Sequence, residues 1–507
     1  MPNEIELKLS LPVTAQRQLL RQPILRQAIT KQTQQLVNLY YDTPTLALQR
    51  HGIALRLRKQ GRLWLQTVKC AGESAVGLSS RPEWETPYAG HFDFYAIDDV
   101  ATRNWLEKAQ IRKNIAPLFE TNFRRTTWRF EPKPGCILLM TLDRGWIAAA
   151  GRREAISEVE IELGNPDKQG GIVELFNLAQ TLCLGVPLVP AVISKAERGY
   201  RLFQGASLIP QKAHGVALAS GYSTTQAFRR ITIECLEHIQ GNHEGSLHSD
   251  DPEFIHQMRV ASRRLRAAMR LFAPRLPAAF SEALLPPLHT LSAYLGQARD
   301  LDVLLTEITA PVAQALPHEP RLAALAGAVT ERQYCARRDA IHYLESTDYG
   351  GLLLLAITWL HLPPFTDNST ADKESLGTFA TARLKRLYRQ LHALARVANT
   401  QAPVSLHRLR IGIKRLRYAL EFFAPLATRR DQVRLLRQLG KLQDALGQIN
   451  DLANAGLLLM QCAGNDPRLR EAVSLVGGWH AARHRALLAR LPAQIKKLVR
   501  LKLPHLA

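Results

Sequence analysis

Glu4, Glu6 and Lys8 open the chain at every second position, with Ile5, Leu7 and Leu9 between and after them. The alternation returns in SEVEIEL, which spaces Glu158, Glu160 and Glu162 alike, and in LRLRK, which does the same for Arg56 and Arg58. Residues i, i+2 and i+4 of a strand share a face. Each segment therefore sorts charge to one side and Leu, Ile or Val to the other. A single strand of this kind is an ordinary solvated surface over a core. Several together, with their apolar faces packed outward under covering helices, would line the inside of a barrel with charge. Crowded like charges are costly unless compensated. Ladders of carboxylates suit hard divalent cations such as Mg2+ or Mn2+. Arginine matches phosphate oxygens as a fork and lysine as a point charge. The chemistry that fits such a lumen is metal-assisted work on a polyphosphate.

A second arrangement lies in the other half. His256, Arg259, Arg263, Arg266 and Arg270 are spaced 3, 4, 3 and 4, one stripe of a helix with Arg264 beside it. His407, Arg410, Lys414 and Arg417, with Arg415 beside them, repeat the pattern. The repeat is wider than the stripe: HQMRVASRRLRAAMRLFAP (256–274) matches HRLRIGIKRLRYALEFFAP (407–425) at an offset of 151, and the same offset lays YLGQARDLD (294–302) on ALGQINDLA (445–453). A duplicated helical unit, two bundles about a pseudo-twofold axis, is the expectation. Two basic stripes facing each other would make a positive groove for a linear polyanion. The alternative is a solvated basic face on a helical domain that holds the barrel or docks to a protein. Arginine neighbours repel a cation, which disfavours metal binding by the histidines.

The elements that must position these residues divide the chain. Up to about residue 200, short alternating runs close on Gly or Pro: EIELKLSLP, LVNLYYDTP, GIALRLRKQ, RLWLQTVKC, TNFRRTTWRF, CILLMTLDRG. They predict an antiparallel sheet or barrel, with helical stretches near 12–28, 100–110 and 171–184. Within this half Tyr40 and Tyr41 read as packing residues, Asp42-Thr-Pro as a turn, and Glu83 and Glu85 as structural or rim positions. From about 222 the period is helical throughout. Residues 204–222 mix Gly, Ser and Pro without a period and form the expected linker between domains at 1–203 and 223–507. A chain of 507 residues is long for one core.

Net charge is +22, of which residues 1–210 carry +7 (27 basic, 20 acidic) and the helical half +15. A balance that positive calls for an anionic partner. Nucleic acid is disfavoured, because single-strand binders interleave aromatic rings with basic residues and the two stripes have almost none. Six scattered cysteines form no zinc spacing and suggest reduced thiols in a cytoplasmic protein. No secretory signal is evident. The longest apolar run, GLLLLAITWLHL (351–362), is too short to span a membrane and predicts a buried core helix.

The opening Glu-x-Glu-x-Lys resembles the signature of the CYTH superfamily, the triphosphate tunnel metalloenzymes. LYYDTP (39–44), GIALRLRKQGRLWLQTVK (52–69), SRPEWE (80–85), LFETNFRR (118–125), LDRG (142–145), EVEIEL (158–163) and SKAERGY (194–200) follow in that family's order. The stripes, each with H-x-x-R-x-x-x-[RK]-R-x-R, resemble the CHAD domain, a histidine-containing α-helical domain found fused behind CYTH. The resemblance is to bacterial inorganic triphosphatases of this two-domain kind. It implies an eight-stranded antiparallel β-tunnel with flanking helices, α+β in class, followed by an all-α duplicated pair of four-helix bundles. It implies that Lys8, Arg56, Arg58, Lys69, Arg81, Arg125, Lys195 and Arg198 bind the phosphate chain. Asp143, Glu158 and Glu160 would hold Mg2+ or Mn2+, Glu4 and Glu6 would serve a second metal and the attacking water, and Glu162 would sit nearer the mouth. Glu4, Glu6 and Lys8 form the implied catalytic set. In the helical domain His256, Arg259, Arg263, Arg264, Arg266, His407, Arg410, Lys414, Arg415 and Arg417 would bind polyphosphate. Arg483, Arg485, Lys496, Lys497 and Arg500 either extend that patch or form a wet helix face. The implied activity is hydrolysis of inorganic triphosphate to pyrophosphate and phosphate by a cytoplasmic protein, associated with polyphosphate granules. The alternatives are an adenylate cyclase, a thiamine triphosphatase, or a polyphosphate-binding module with an inactive tunnel.

Overall fold

The structure is a computed structural model that describes residues 3–165, 170–219, 221–363, 365, 374–427 and 429–504. The chain forms two compact units. One comprises Met1–Ile209 with Glu345–Thr358, the other Pro210–Leu344 with Trp359–Ala507.

The first unit is built on strands β1 (Asn3–Ser10), β2 (Thr30–Asp42), β3 (Ile53–Gln60), β4 (Leu63–Cys70), β5 (Glu73–Ala75), β6 (Leu78–Pro87), β7 (Ala116–Lys133), β8 (Cys136–Ala149), β9 (Arg152–Leu163) and β10 (Val189–Pro190). They pair in the order β1-β9-β8-β7-β2-β3-β4-β6, and β6 pairs back to β1, which closes an eight-stranded antiparallel barrel. β5 and β10 are short additions on β6 and β1. Closure removes the open edges that would otherwise invite aggregation.

Directly paired residues of an antiparallel sheet point to the same side. The register sets Lys8 opposite Glu160, Glu6 opposite Glu162 and Glu4 opposite Arg81. It also sets Arg125 opposite Asp143 and Asp143 opposite Glu158. The charged alternation faces inward, as expected. Leu7, Leu142, Val159 and Ile161 take the opposite face and are fully buried. Helix α1 (Gly171–Cys183) packs on β8 and β9.

Not all of the lumen is charged. Leu36, Phe119, Phe123, Ile147 and Ile156 also face inward and pack with Tyr200 into an apolar core. Tyr200 belongs to α2 (Lys195–Gln204), a helix started by a Ser194–Glu197 capping box and packed on β7, β8 and β9. The barrel interior is thus an apolar plug seating α2, with a charged chamber beside it.

The second unit is helical. Helices α3 (Thr224–Gln240), α4 (Glu253–Phe272), α5 (Ala278–Val303) and α6 (Pro320–Leu344) pack each on the next. So do α7 (Leu376–Arg396), α8 (Pro403–Phe422), α9 (Arg429–Ala463) and α10 (Pro467–Val499). α4 and α8, which carry the two basic stripes, start 150 residues apart and pack on each other. The apolar run is helix Thr347–His361, with Leu352, Leu353, Leu354, Ile357 and Leu360 buried. Within the first unit Gln180 Nε2 donates to Thr358 Oγ1 at 3.0 Å. Among the described residues no helix is long and apolar enough to cross a membrane.

Candidate active site and polyanion cleft

The charged chamber is a cavity of about 720 Å3 lined by Glu4, Glu6, Lys8, Arg56, Arg58, Lys69, Arg81, Glu83, Glu85, Arg125, Glu160, Glu162 and Lys195, among others. Its charges meet in two groups. In the first, Lys195 Nζ lies 2.8 Å from Asp143 Oδ2 and 2.9 Å from Glu160 Oε1 and also contacts Glu158. Arg125 forks onto Asp143 at 2.8 and 2.7 Å and reaches Glu160 at 2.6 Å. Asp143 and Glu158 are almost fully buried below the chamber wall. Their ligand atoms and one from Glu160 all lie within 4.8 Å of one another. Three carboxylates at that spacing form an all-oxygen donor set that fits a hard divalent cation. The Lys195 ammonium stands among them, and a metal ion would compete with it for the same oxygens. Burial raises the proton affinity of both Glu158 and Glu160. For Glu160 the cations Lys195, Arg125 and Lys8 overcome burial and hold the carboxylate well below its usual range, while Glu158 stays raised.

In the second group Lys69 Nζ bridges Glu4 at 2.8 Å and Glu83 at 2.7 Å, and Arg56 reaches Glu83 at 3.2 Å. Burial pushes Glu4 up, with Glu83 and Glu6 adding like charge against the pull of Lys69. Glu83, equally buried, is held down by Lys69 and Arg56. Burial and Glu6 push Glu162 up to about 7. Glu6 sits 3.7 Å from Lys8 and accepts from Ser79 Oγ at 3.3 Å. Arg58 donates to Asn38 Oδ1 at 3.0 Å and lies 3.6 Å from Glu85.

Every residue expected to contact phosphate lines the chamber except Arg198, which turns to Glu154 at 2.6 Å and Glu158 at 3.4 Å. Asp143, Glu158 and Glu160 converge as one cluster, while Glu4 and Glu6 stand apart from it with lysine partners. Glu83 and Glu85, expected to be structural or rim positions, line the chamber. They are the ion-pair partners of Lys69, Arg56 and Arg58, and their alternation in RPEWE carried the signal. Tyr40 does pack, stacked on Phe119 with centroids 4.6 Å apart, but it also lines the chamber.

The helical unit holds a cleft of about 830 Å3 lined by His256, Arg263, Arg264, Arg410, Lys414 and Arg417 from both stripes. Lys212 and His214, from the segment expected to be only a linker, complete the wall. Arg263 and Lys414 also line an adjoining groove of about 710 Å3 with Arg266 and Arg415, to which α7 adds Arg383 and Arg386. Arg259 and His407 line a smaller pocket with Arg410, Asp300 and Asp451. The Nε atoms of Arg263 and Arg410 and Nδ1 of His256 are buried without a hydrogen-bond partner among the described residues. Burial, then Arg263, Arg410 and Arg259, pull Lys414 down to about 7. Burial and Arg299 pull His256 down as well, favouring the neutral ring. Arg264 is set differently. It is buried, 3.2 Å from Glu421, and its guanidinium lies over the Phe422 ring at 5.2 Å. Arg417 shares Glu421 at 2.8 Å, and Arg259 pairs with Asp300 at 3.2 Å. The stripes have more acidic neighbours than their own sequence suggested, because those neighbours sit one turn beyond the stripe or on other helices.

Residues 2–200 match the CYTH domain family model and residues 230–459 the CHAD domain model. The chain is a CYTH domain followed by a CHAD domain. An inorganic triphosphatase from Haemophilus influenzae is 31% identical over 203 residues, which cover 40% of this chain. The match spans 55% of that relative's length. The solved CHAD domain of the plant Ricinus communis is 33% identical with a TM-score of 0.51, covering 59% of this chain and all of that one. The CHAD likeness thus takes in the unit with the basic cleft, and the CYTH match takes in the barrel with its paired charges.

Proposed function

We propose that the CYTH chamber hydrolyses inorganic triphosphate to pyrophosphate and phosphate with Mg2+ or Mn2+, and that the CHAD cleft binds inorganic polyphosphate. The observation that carries the first part is the convergence of seven cations and seven carboxylates on one chamber of about 720 Å3 above the Asp143–Glu158–Glu160 cluster.

A bound divalent cation would supply charge neutralisation at the phosphate oxygens and an activated water. The rest falls to the side chains. Arg56, Arg58, Lys69, Arg81 and Arg125 bind and orient the phosphate chain, Arg125 from its seat on Asp143 and Glu160. Lys195 neutralises Asp143, Glu158 and Glu160, the carboxylates that would hold a divalent cation, and lines the chamber where it can also bind phosphate. Glu4, raised by burial, accepts the proton of the attacking water at its carboxylate, and Lys8 and Glu6 hold the geometry beside it. Cations held at the chamber wall by carboxylate partners are aimed before a phosphate arrives, and such preorganisation is the main source of electrostatic catalysis.

Lining chemistry favours an inorganic substrate over a nucleotide. The aromatic rings in the chamber wall, Tyr40, Phe123 and Tyr200, are each at most 4% exposed and offer a base no stacking face. This speaks against the cyclase alternative. The unpartnered arginine nitrogens in the CHAD cleft support a polyanion there, and the absence of a disulfide among the described residues is consistent with a reducing, cytoplasmic compartment. The test is phosphate release from tripolyphosphate, ATP and long-chain polyphosphate with Mg2+, Mn2+ or EDTA. Metal-dependent release that prefers tripolyphosphate is expected. Equal or faster release from ATP would refute the substrate assignment.

A further inference from the structure

The Asp42-Thr-Pro turn does more than end a strand. Asp42 is fully buried, and no ion pair reaches it among the described residues. Its Oδ1 accepts the N–H of Thr43 at 2.6 Å and of Leu48 at 2.8 Å; its Oδ2 accepts the N–H of Gln49 at 2.9 Å and the Tyr200 hydroxyl at 3.0 Å. Burial and the neighbouring Asp42 hold the Tyr200 phenol protonated, so it is the donor. One carboxyl thus ties the end of β2 and the short helix Ala47–Arg50 to α2.

α2 delivers Lys195 and Arg198 to the carboxylate cluster. Those ion pairs also hold α2 down, yet they are the contacts that a cation or a phosphate chain must disturb. What remains when they loosen is the apolar seat of the helix inside the barrel. Tyr200 packs edge-on against Phe119 with centroids 5.1 Å apart, a Cβ at Gly199 would collide with the same ring, and Tyr200 keeps its bond to Asp42. The Arg201–Glu154 pair at 3.2 Å adds a contact outside the cluster.

We propose that Asp42 and Tyr200 are positioning residues for the chamber: their buried hydrogen bond keeps α2 seated on the barrel while tripolyphosphate competes for Lys195 and a divalent cation competes with Lys195 and Arg198 for the carboxylates of the cluster. This rests on the triphosphatase reading of the chamber. A hydrogen bond that leaves both partners out of the exchange can hold the helix at constant strength through turnover, which ion pairs to the reacting groups cannot.

The test is Tyr200→Phe in the full chain, which removes one hydroxyl and keeps the ring on Phe119. Hydrogen exchange of the α2 amides is followed with tripolyphosphate present in EDTA, so that binding is read without turnover. Exchange within α2 is expected to rise roughly tenfold, about the weight of one hydrogen bond, with the β-strands and the CHAD helices unchanged. Asp42→Asn, which keeps an oxygen for Thr43 and Leu48 but sets an amide NH2 against the Gln49 N–H and the Tyr200 hydroxyl, should loosen α2 at least as much. With Mg2+, kcat/KM for tripolyphosphate should fall by a similar factor, through KM. Unchanged α2 exchange in Tyr200→Phe would overturn the proposal. So would a rise spread over the whole barrel, which is the signature of a merely structural bond, or a kcat/KM equal to wild type. If the wild-type protein releases no phosphate at all, the triphosphatase reading has failed, and the exchange comparison still decides whether the bond seats α2.

Discussion

The barrel and the helical cleft are both lined by arginine and lysine, but they hold those charges differently. In the chamber Lys69, Arg56, Arg125 and Lys195 each have carboxylates within 3.2 Å. In the cleft burial and the crowding of Arg263, Arg410 and Arg259 lower the proton affinity of Lys414, and among the described residues no carboxylate pairs with Arg263, Arg410 or Lys414 within 4.0 Å. Paired charges are fixed in direction and can meet a short substrate in one pose. Like charges with little compensation repel one another, and any linear polyanion relieves them wherever it lies. On the proposed function, the contrast teaches that similar composition serves chemistry in one place and holding in another, with the arrangement of the acids deciding which.

The largest expected effect separates the two sites. Glu160→Gln removes one carboxylate oxygen from the cluster and the shared partner of Lys195 and Arg125. Hydrolysis of tripolyphosphate should fall at least about a hundredfold, while polyphosphate affinity measured by titration stays at the wild-type value. A matching loss in both would mean that the sites are not separate.

Arg263→Ala combined with Lys414→Ala should do the reverse. Both line the main cleft and the adjoining groove. Each cation removed should reduce the slope of log affinity against log salt by about 1, with tripolyphosphate turnover retained. An unchanged slope would place polyphosphate elsewhere.

A smaller, several-fold effect is expected with pH. Lys414 is pulled down to about 7 in the free protein, and a bound polyanion favours its charged form. Affinity should therefore be highest below pH 7 and decline as pH rises through it, with a proton taken up on binding above that point. Lys414→Arg stays charged and should flatten the profile; titration in buffers of different ionisation enthalpy reads the proton directly.

Smallest of all for binding should be Arg264→Ala. With its guanidinium against Glu421 and Phe422, its loss should cost about 2 kcal/mol of stability, seen in denaturant unfolding, and leave the salt slope alone. A lowered slope would make Arg264 a ligand contact after all.

Much of this was legible in the sequence because its periods are strict. Glu4-x-Glu6-x-Lys8 and Glu158-x-Glu160-x-Glu162 pair in the barrel with their charges on the same side, since a period of two leaves a strand only two faces. The 151-residue offset found α4 and α8 for a similar reason, and the motif order found the family. What alternation could not give was composition along the lumen. Leu36, Phe119, Phe123 and Ile156 point inward with the charges, and nothing in their own strands says that α2 will fill that end. Glu83 and Glu85 read only as structural or rim positions because two acids flanking one tryptophan are ordinary on any strand, and the register opposite Lys69 is what makes Glu83 a partner. Lys212 and His214 were hidden by lying in a segment with no period.

The central claim is that the barrel turns over triphosphate and the cleft holds a polyanion. It is tested most directly by phosphate release from tripolyphosphate with purified full-length protein and its Glu160→Gln variant, each with Mg2+ and with EDTA. The account predicts release by the wild-type protein in Mg2+, none in EDTA, and at most about a hundredth of the wild-type rate from the variant. Release that persists in EDTA, or that survives the loss of Glu160, would contradict it.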